Sequence, residues 1–149
     1  MKTIILPTLA ALALSTPALA EDAAEDAPLT IEVRGVEDRG GRLYVGVQTE
    51  AQFLQEDGVA GRIFDDPDAG SLRVSFPLPE GRYAVSVWHD DDADGEFDRA
   101  ENGMPLDGWA MSNDAGRRGP PSFDDAAVEL RRGGAETSAT MIYPERPQD

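Results

Sequence analysis

"LRVSFPLPEGRYAVSVWHD" runs from Leu72 to Asp90, and its alternation decides the fold. On an extended chain successive side chains point to opposite faces. Leu72, Val74 and Phe76 therefore share one face of a first strand. Tyr83, Val85 and Val87 share one face of a second, with Ala84, Ser86 and Trp88 on the other. Pro77 and Pro79 close the first strand and Gly81 turns the chain into the next.

The same period recurs upstream. "LTIEVRGV" (29–36) sets Leu29, Ile31 and Val33 against Thr30, Glu32 and Arg34, and "LYVGVQT" (43–49) alternates again across the turn "DRGGR". The pair reads as a hairpin. "EAQFLQEDG" predicts one or two helical turns, with Phe53 and Leu54 as packing residues, and Pro67 marks a turn. Downstream, "AAVELRRGG" and "ETSATMIYP" read as a final hairpin over Gly133-Gly134, whereas residues 90–122 carry almost no strand pattern. About seven short strands with turn signals every 8–12 residues or so predict an all-β fold. The expected architecture is an antiparallel β-sandwich, immunoglobulin-like or transthyretin-like, with one long loop. No segment of helical period suggests a βαβ unit, and no internal repeat is present.

The N-terminus reads as an address. Met1-Lys2, the apolar run "IILPTLAALALSTPALA" and the small-x-small site Ala18-Leu19-Ala20 predict a secretory signal peptide cleaved after Ala20. The expected organisation is a signal peptide (1–20), a flexible acidic leader (21–27), one β-sandwich domain (28–144) and a tail (145–149). Localisation is then periplasmic or secreted, with no membrane span after cleavage. Cleavage removes the only lysine and leaves 12 arginines against 29 acidic residues, taking the formal charge from −16 to −17. So acidic a surface repels nucleic acid and anionic lipid and attracts cations or basic partners. The chain has no cysteine, which excludes disulfides, thiol catalysis and thiolate metal sites.

Seven carboxylates crowd the twelve residues from Asp90 to Glu101, with Arg99 the one base among them. With Asp90 as position one of a calcium loop, Asp92 falls at three, Asp94 at five and Gly95 at six. Glu96 supplies the position-seven carbonyl, Phe97 the apolar position eight, Asp98 position nine and Glu101 position twelve. Every specified position of D-x-[DN]-x-[DN]-G-x5-E is met. Calcium is a hard cation that takes six to eight or so oxygens in flexible geometry, which alternating aspartates supply. The flanks differ from an EF-hand: a strand pattern precedes Asp90, and Gly103 and Pro105 stop any helix after Glu101. The expectation is an EF-hand-like loop on a β-scaffold, binding structural Ca2+ with a dissociation constant on the order of 10⁻⁴–10⁻³ M. An acidic, solvated turn is the bland alternative.

Two stretches, "LPEGRYAVSVWHDDDADGEFDRAENGMPLDGWAMSND" (78–114) and "GPPSFDDAAVEL" (119–130), carry a resemblance. They resemble an uncharacterised family, a domain of unknown function, of small exported bacterial β-proteins with the patterns HDxNxNGxxD, GxPxEGxGxSN and PxFxxA. Asp92 and Asp94 stand where that pattern has Asn, and Leu106-Asp107 departs from its Pro-x-Glu, with Asp for Glu. The loop is also similar to the calcium-binding B repeats of surface adhesins, which are likewise β-sandwiches. The resemblance implies the fold and export but carries little about activity.

Other residues offer less. Trp109, Asn113, Arg117, Arg118 and Phe123 form a candidate ligand or contact patch in one loop, with arginines suited to a carboxylate or sugar acid. The plainer expectation is that Trp109 and Phe123 plug the end of the sandwich while Arg117 and Arg118 offset the acidic loop. His89, the only histidine, lies at a strand end without a nucleophile or base–orienter pair. Asp107, Asp124 and Asp125 are available for glycoside hydrolysis, but no aromatic platform beyond Trp88 and Trp109 supports it. No phosphate-binding loop joins a strand to a helix. The leading expectation is a non-catalytic exported module, Ca2+-stabilised, meeting a cell-envelope protein or glycan. The rival is a small metal-assisted hydrolase using His89 and loop carboxylates.

Overall fold

A computed structural model describes residues 25–145. The expected signal peptide, the expected leader up to residue 24 and the expected tail after residue 145 lie outside the described residues. Among the described residues there are eight strands: β1 (Ala27–Val36), β2 (Arg42–Gln48), β3 (Ala60–Asp65), β4 (Gly70–Leu78), β5 (Gly81–Asp90), β6 (Gly108–Met111), β7 (Val128–Leu130) and β8 (Ala135–Thr140). They make two sheets, one of order β4-β1-β8 and one of order β3-β2-β5-β6, with β7 also pairing with β5. The all-β sandwich is therefore as the alternation predicts. β1 begins at Ala27, the last residue assigned above to the leader, and Ala27 is buried.

The inward faces are the predicted ones. Leu29, Ile31 and Val33 of β1 and Val74, Phe76 and Leu78 of β4 meet Leu43, Val45, Val47, Val85 and Val87 from the opposite sheet. At about 25 cal/mol per Å2 of apolar surface, each fully buried branched side chain contributes about 1.5–3 kcal/mol, and this core holds the sheets together.

Strand neighbours differ from the predicted hairpins. β1 and β2 do not pair: β1 lies between β4 and β8, and β2 lies between β3 and β5. The turn at 37–41 thus crosses from one sheet to the other. The final hairpin is likewise replaced, since β7 pairs with β5 and β8 runs parallel to β1. Alternation specifies which face of a strand is buried but not which strand lies beside it. Two strands had no usable pattern. β3 is an edge strand with mostly exposed residues, and β6 is four residues long, inside the stretch read as loop. The helical turn after β2 shrinks to a 3-10 turn at Glu50–Gln52, and Leu54 is exposed rather than packed. Phe53 does pack, edge-on to Phe123 with ring centroids 5.8 Å apart.

A second apolar cluster lies on the outer face of the larger sheet. Ala84 of β5 and Met111 of β6 are covered there by Ala115, Phe123 and Ala126, with Phe53 and Trp109 against them. Residues 112–127 therefore fold across the face of the sheet. Phe123 and Ala126 belong to the single helical turn α1 (Phe123–Ala126), whose first turn is capped by Ser122 Oγ accepting from Asp125 N.

Candidate metal centre

β5 delivers the acidic loop. Asp90 is its last residue, paired with Arg42 of β2 and fully buried. The β1–β2 connection passes so close that a Cβ on Gly41 would lie 2.1 Å from the Asp90 carbonyl oxygen. Gly41 also has a φ of +70°. Only glycine satisfies both demands without displacement.

From Asp90 the loop folds onto its own carboxylates. Asp90 Oδ1 accepts from Asp94 N (3.2 Å) and Oδ2 from Gly95 N (3.0 Å). Asp92 Oδ1 accepts from Asp94 N (3.3 Å), and Asp94 Oδ1 from Glu96 N (2.8 Å). Gly95 turns the chain with a φ of +79°, its Cβ position open to solvent. As a result Asp90, Asp92 and Asp94 bring one carboxylate oxygen each to within 4.8 Å of one another. Glu96, Asp98 and Glu101 are outside this group. Two like charges 4 Å apart cost about 1 kcal/mol in water and more when partly buried, so three converging carboxylates favour a compensating cation.

The second half of the loop follows another course. Phe97 packs edge-on against Trp88, with centroids 5.9 Å apart, and the Arg99 guanidinium lies 4.7 Å from the Phe97 ring centroid. Trp88 stacks on Tyr44 at 4.5 Å on the outer face of the sheet. After Arg99 the chain reverses in a tight turn, with Gly103 N donating to Ala100 O (2.8 Å) and Ala100 N to Met104 O (2.9 Å). Glu101 sits exposed in that turn. The chain returns beside itself at the Arg99–Pro105 bridge and enters β6 through Asp107.

Asp107 is 1% exposed. Its Oδ2 accepts from Trp88 Nε1 (2.7 Å) and Asp98 N (3.1 Å), whereas Oδ1 is buried and accepts no hydrogen bond. Burial holds this carboxyl above the usual carboxylate range. The two donated hydrogen bonds pull it down, and the Asp98 and Asp91 charges push it up. The sequence signal for Asp107 is its place in the Leu106-Asp107-Gly108 segment, where the resembling family has Glu. Its burial is set by the fold.

The arginine that pairs with the loop from outside it is not one of those expected. Arg39, from the β1–β2 connection, meets Asp91 at 3.5 Å. Arg117 instead donates to Thr140 O (3.2 Å) and lies 3.8 Å from Asp114, and Arg118 is exposed. The expected contact patch is likewise divided. Trp109 is half-buried and Phe123 buried in the second apolar cluster. The Asn113 amide is engaged by Asp125 O, Ala127 O and Thr137 Oγ1.

His89 is fully buried and fully engaged. Nε2 contacts Gly40 O at 2.8 Å, and a carbonyl only accepts, so Nε2 carries the proton. Nδ1 meets Tyr143 Oη at 2.7 Å, and the same hydroxyl accepts from Glu37 N (3.1 Å). Burial raises Tyr143 above the usual phenol value. The Tyr143 ring lies on Gly108, where a Cβ would come within 2.3 Å of it. His89 and Tyr143 thus join the β1–β2 connection, the end of β5, the start of β6 and the C-terminal segment.

The family described as an uncharacterized protein conserved in bacteria (DUF2141) matches residues 31–138. The chain belongs to this family. No curated protein and no solved structure matches it.

Proposed function

We propose that the protein is an exported, non-catalytic β-sandwich module that binds a structural Ca2+ in the Asp90–Glu101 loop and acts in an interaction at the cell envelope or surface. The observation that carries this reading is the convergence of Asp90, Asp92 and Asp94, an all-oxygen donor set on a rigid strand end. Hard oxygen donors on a pliable loop suit calcium better than a metal that demands nitrogen or sulfur. The strand before the loop and the tight turn after it supply no helix pair to open, so the ion orders the loop rather than switching it. Export rests on the signal-like residues 1–20. The hydrolase alternative would need His89 to exchange a proton with substrate, and both of its ring nitrogens are engaged in the interior.

Thermal unfolding in EDTA and then in 5 mM calcium or magnesium tests the cation reading. At about tenfold above a dissociation constant of roughly 0.5 mM, calcium adds about 1.4 kcal/mol and raises the midpoint by a few degrees. Asp92→Asn, an exposed member of the triad, should remove that rise without unfolding the domain. An equal rise with magnesium, or none with calcium, refutes the reading. Export is checked separately: the processed chain should begin at Glu21.

A further inference from the structure

We infer that the open edge of β3 is a docking site for a protein partner, which adds an extended, positively charged segment to the larger sheet as a further strand. The inference rests on the interaction part of the reading above and is independent of the cation.

A sheet edge presents unpaired N–H and C=O groups, and folded proteins cover or blunt them. Three edges here are treated in that way. At β6, Trp109 N donates to Ile142 O (3.0 Å) and Ile142 N to Trp109 O (2.8 Å), so the C-terminal segment closes the edge. At β8, Thr140 N donates to Asp114 Oδ1 (2.7 Å) and Thr140 O accepts from Arg117 (3.2 Å). β4 carries Pro77 opposite Pro28 of β1. Neither proline has an N–H, so this pair is not hydrogen-bonded across the strands and Pro77 turns its nitrogen to the edge. β3 has no such device. Among the described residues only β2 pairs with it, and it contains no proline or lysine.

The ladder fixes which groups of β3 are open. Asp66 N donates to Gly41 O (2.8 Å), in register with the pairing of Asp65 and Arg42. Bonded and non-bonded pairs alternate along an antiparallel ladder. Arg62 and Phe64 therefore bond to β2, and the N–H and C=O groups of Gly61, Ile63 and Asp65 point to the open side. Apolar surface gathers at the same place. Of the four large apolar side chains exposed among the described residues, Ile63 lies on β3, and Leu54 and Val59 lie in the connection leading into it.

Charge selects the partner. Glu56 and Asp57 precede the strand, and Asp65, Asp66 and Asp68 lie at or just beyond its end. Against them stand Arg62 and the Arg42 that meets Asp65 at 3.1 Å. A second copy is a poor occupant. Antiparallel pairing with Ile63 on Ile63 would lay Asp66 and Asp68 of one chain beside Glu56 and Asp57 of the other, and each chain has a formal charge of −16. A segment with basic residues at both ends and an apolar residue opposite Ile63 complements the edge. Main-chain hydrogen bonds then hold the segment, and its alternate side chains give selectivity.

The test is binding of a short synthetic peptide to the full chain in EDTA. The peptide alternates valine and threonine and carries lysines at both ends, and a glutamate-ended peptide with the same core is the control. The lysine peptide should bind about ten times more tightly than the control, and its binding should weaken as salt rises. In amide hydrogen exchange read by NMR, it should protect the N–H groups of Gly61, Ile63 and Asp65, whereas those of Arg62 and Phe64 are slow already in the free chain. Ile63→Pro removes an edge N–H that β2 does not use, so it should abolish binding and leave the fold intact. Should that variant unfold, the exchange pattern of the wild type decides alone. No binding, equal binding of the two peptides, or protection elsewhere overturns the inference. So does an edge already protected in the free chain at high concentration, which would assign it to a second copy. The cation reading stands apart from all these outcomes, since the calcium melt decides it separately.

Discussion

Trp88 donates its indole N–H to Asp107 Oδ2 across 2.7 Å, joining the outer face of β5 to the chain returning from the acidic loop. The contact is local in space but spans the whole loop, so the loop's entrance and exit are held by one strand. Trp88→Phe keeps an aromatic ring against Tyr44 and Phe97 and removes the donor. A hydrogen bond to a charged acceptor contributes about 1.5–3 kcal/mol, so urea unfolding should show a loss in that range. A change under about 0.5 kcal/mol would mean that the bond does not hold the loop.

Gly41 and Gly95 both have positive φ but differ in surroundings. Gly95→Ala meets open space and bears only the left-handed backbone cost, about 1–2 kcal/mol. Gly41→Ala adds a Cβ 2.1 Å from the Asp90 carbonyl, so the β1–β2 connection must move away from the loop entrance. Its destabilisation should exceed that of Gly95→Ala by at least about 1 kcal/mol in parallel denaturant titrations. Equal effects would argue against the close approach.

Tyr143 makes stability depend on alkaline pH. Burial raises its folded pKa above the unfolded value of about 10, so the folded state favours the neutral phenol. Its contribution is complete below pH 10 or so and is lost as pH rises through the folded value, where the unfolded chain releases the proton first. Stability measured between about pH 9 and 11 should therefore fall, and Tyr143→Phe should flatten that fall. The same variant should cost about 1–3 kcal/mol at neutral pH, because Glu37 N and His89 Nδ1 lose their shared partner. An unchanged alkaline slope would show that the phenol does not titrate with folding.

Two isoleucines separate core from edge. Ile31 is fully buried between the sheets, and Ile63 on the edge strand β3 is 55% exposed. Ile31→Ala should cost about 2–5 kcal/mol and Ile63→Ala well under 1 kcal/mol. Comparable losses would require β3 to be covered in solution.

The fold was legible wherever a strand has one buried and one solvated face. Leu29, Ile31, Val33, Val74, Phe76, Val85 and Val87 could be placed inside from period two alone, and all are buried. β3 and β6 were not legible for opposite reasons. Most of β3 is exposed, so it has no apolar face to read, and β6 is too short to show a period. Of the candidate site, the convergence of Asp90, Asp92 and Asp94 was legible from spacing, because carboxylates two residues apart in a tight loop are brought together by local geometry. Residues Glu96, Asp98 and Glu101 followed from the same pattern, but their positions depend on the chain after Phe97, which the pattern does not describe.

The sequence by itself determined the β class, the inward faces and the acidic loop, because these depend on side-chain alternation and on contacts within a few residues. Strand partners, the crossing of β1–β2 and β7–β8 between sheets, the engagement of His89 by Gly40 and Tyr143, and the orphaned Oδ1 of Asp107 were decided by the tertiary structure alone. Each joins residues distant in sequence, and neither a two-residue period nor a loop motif carries information about which distant segment packing will bring alongside.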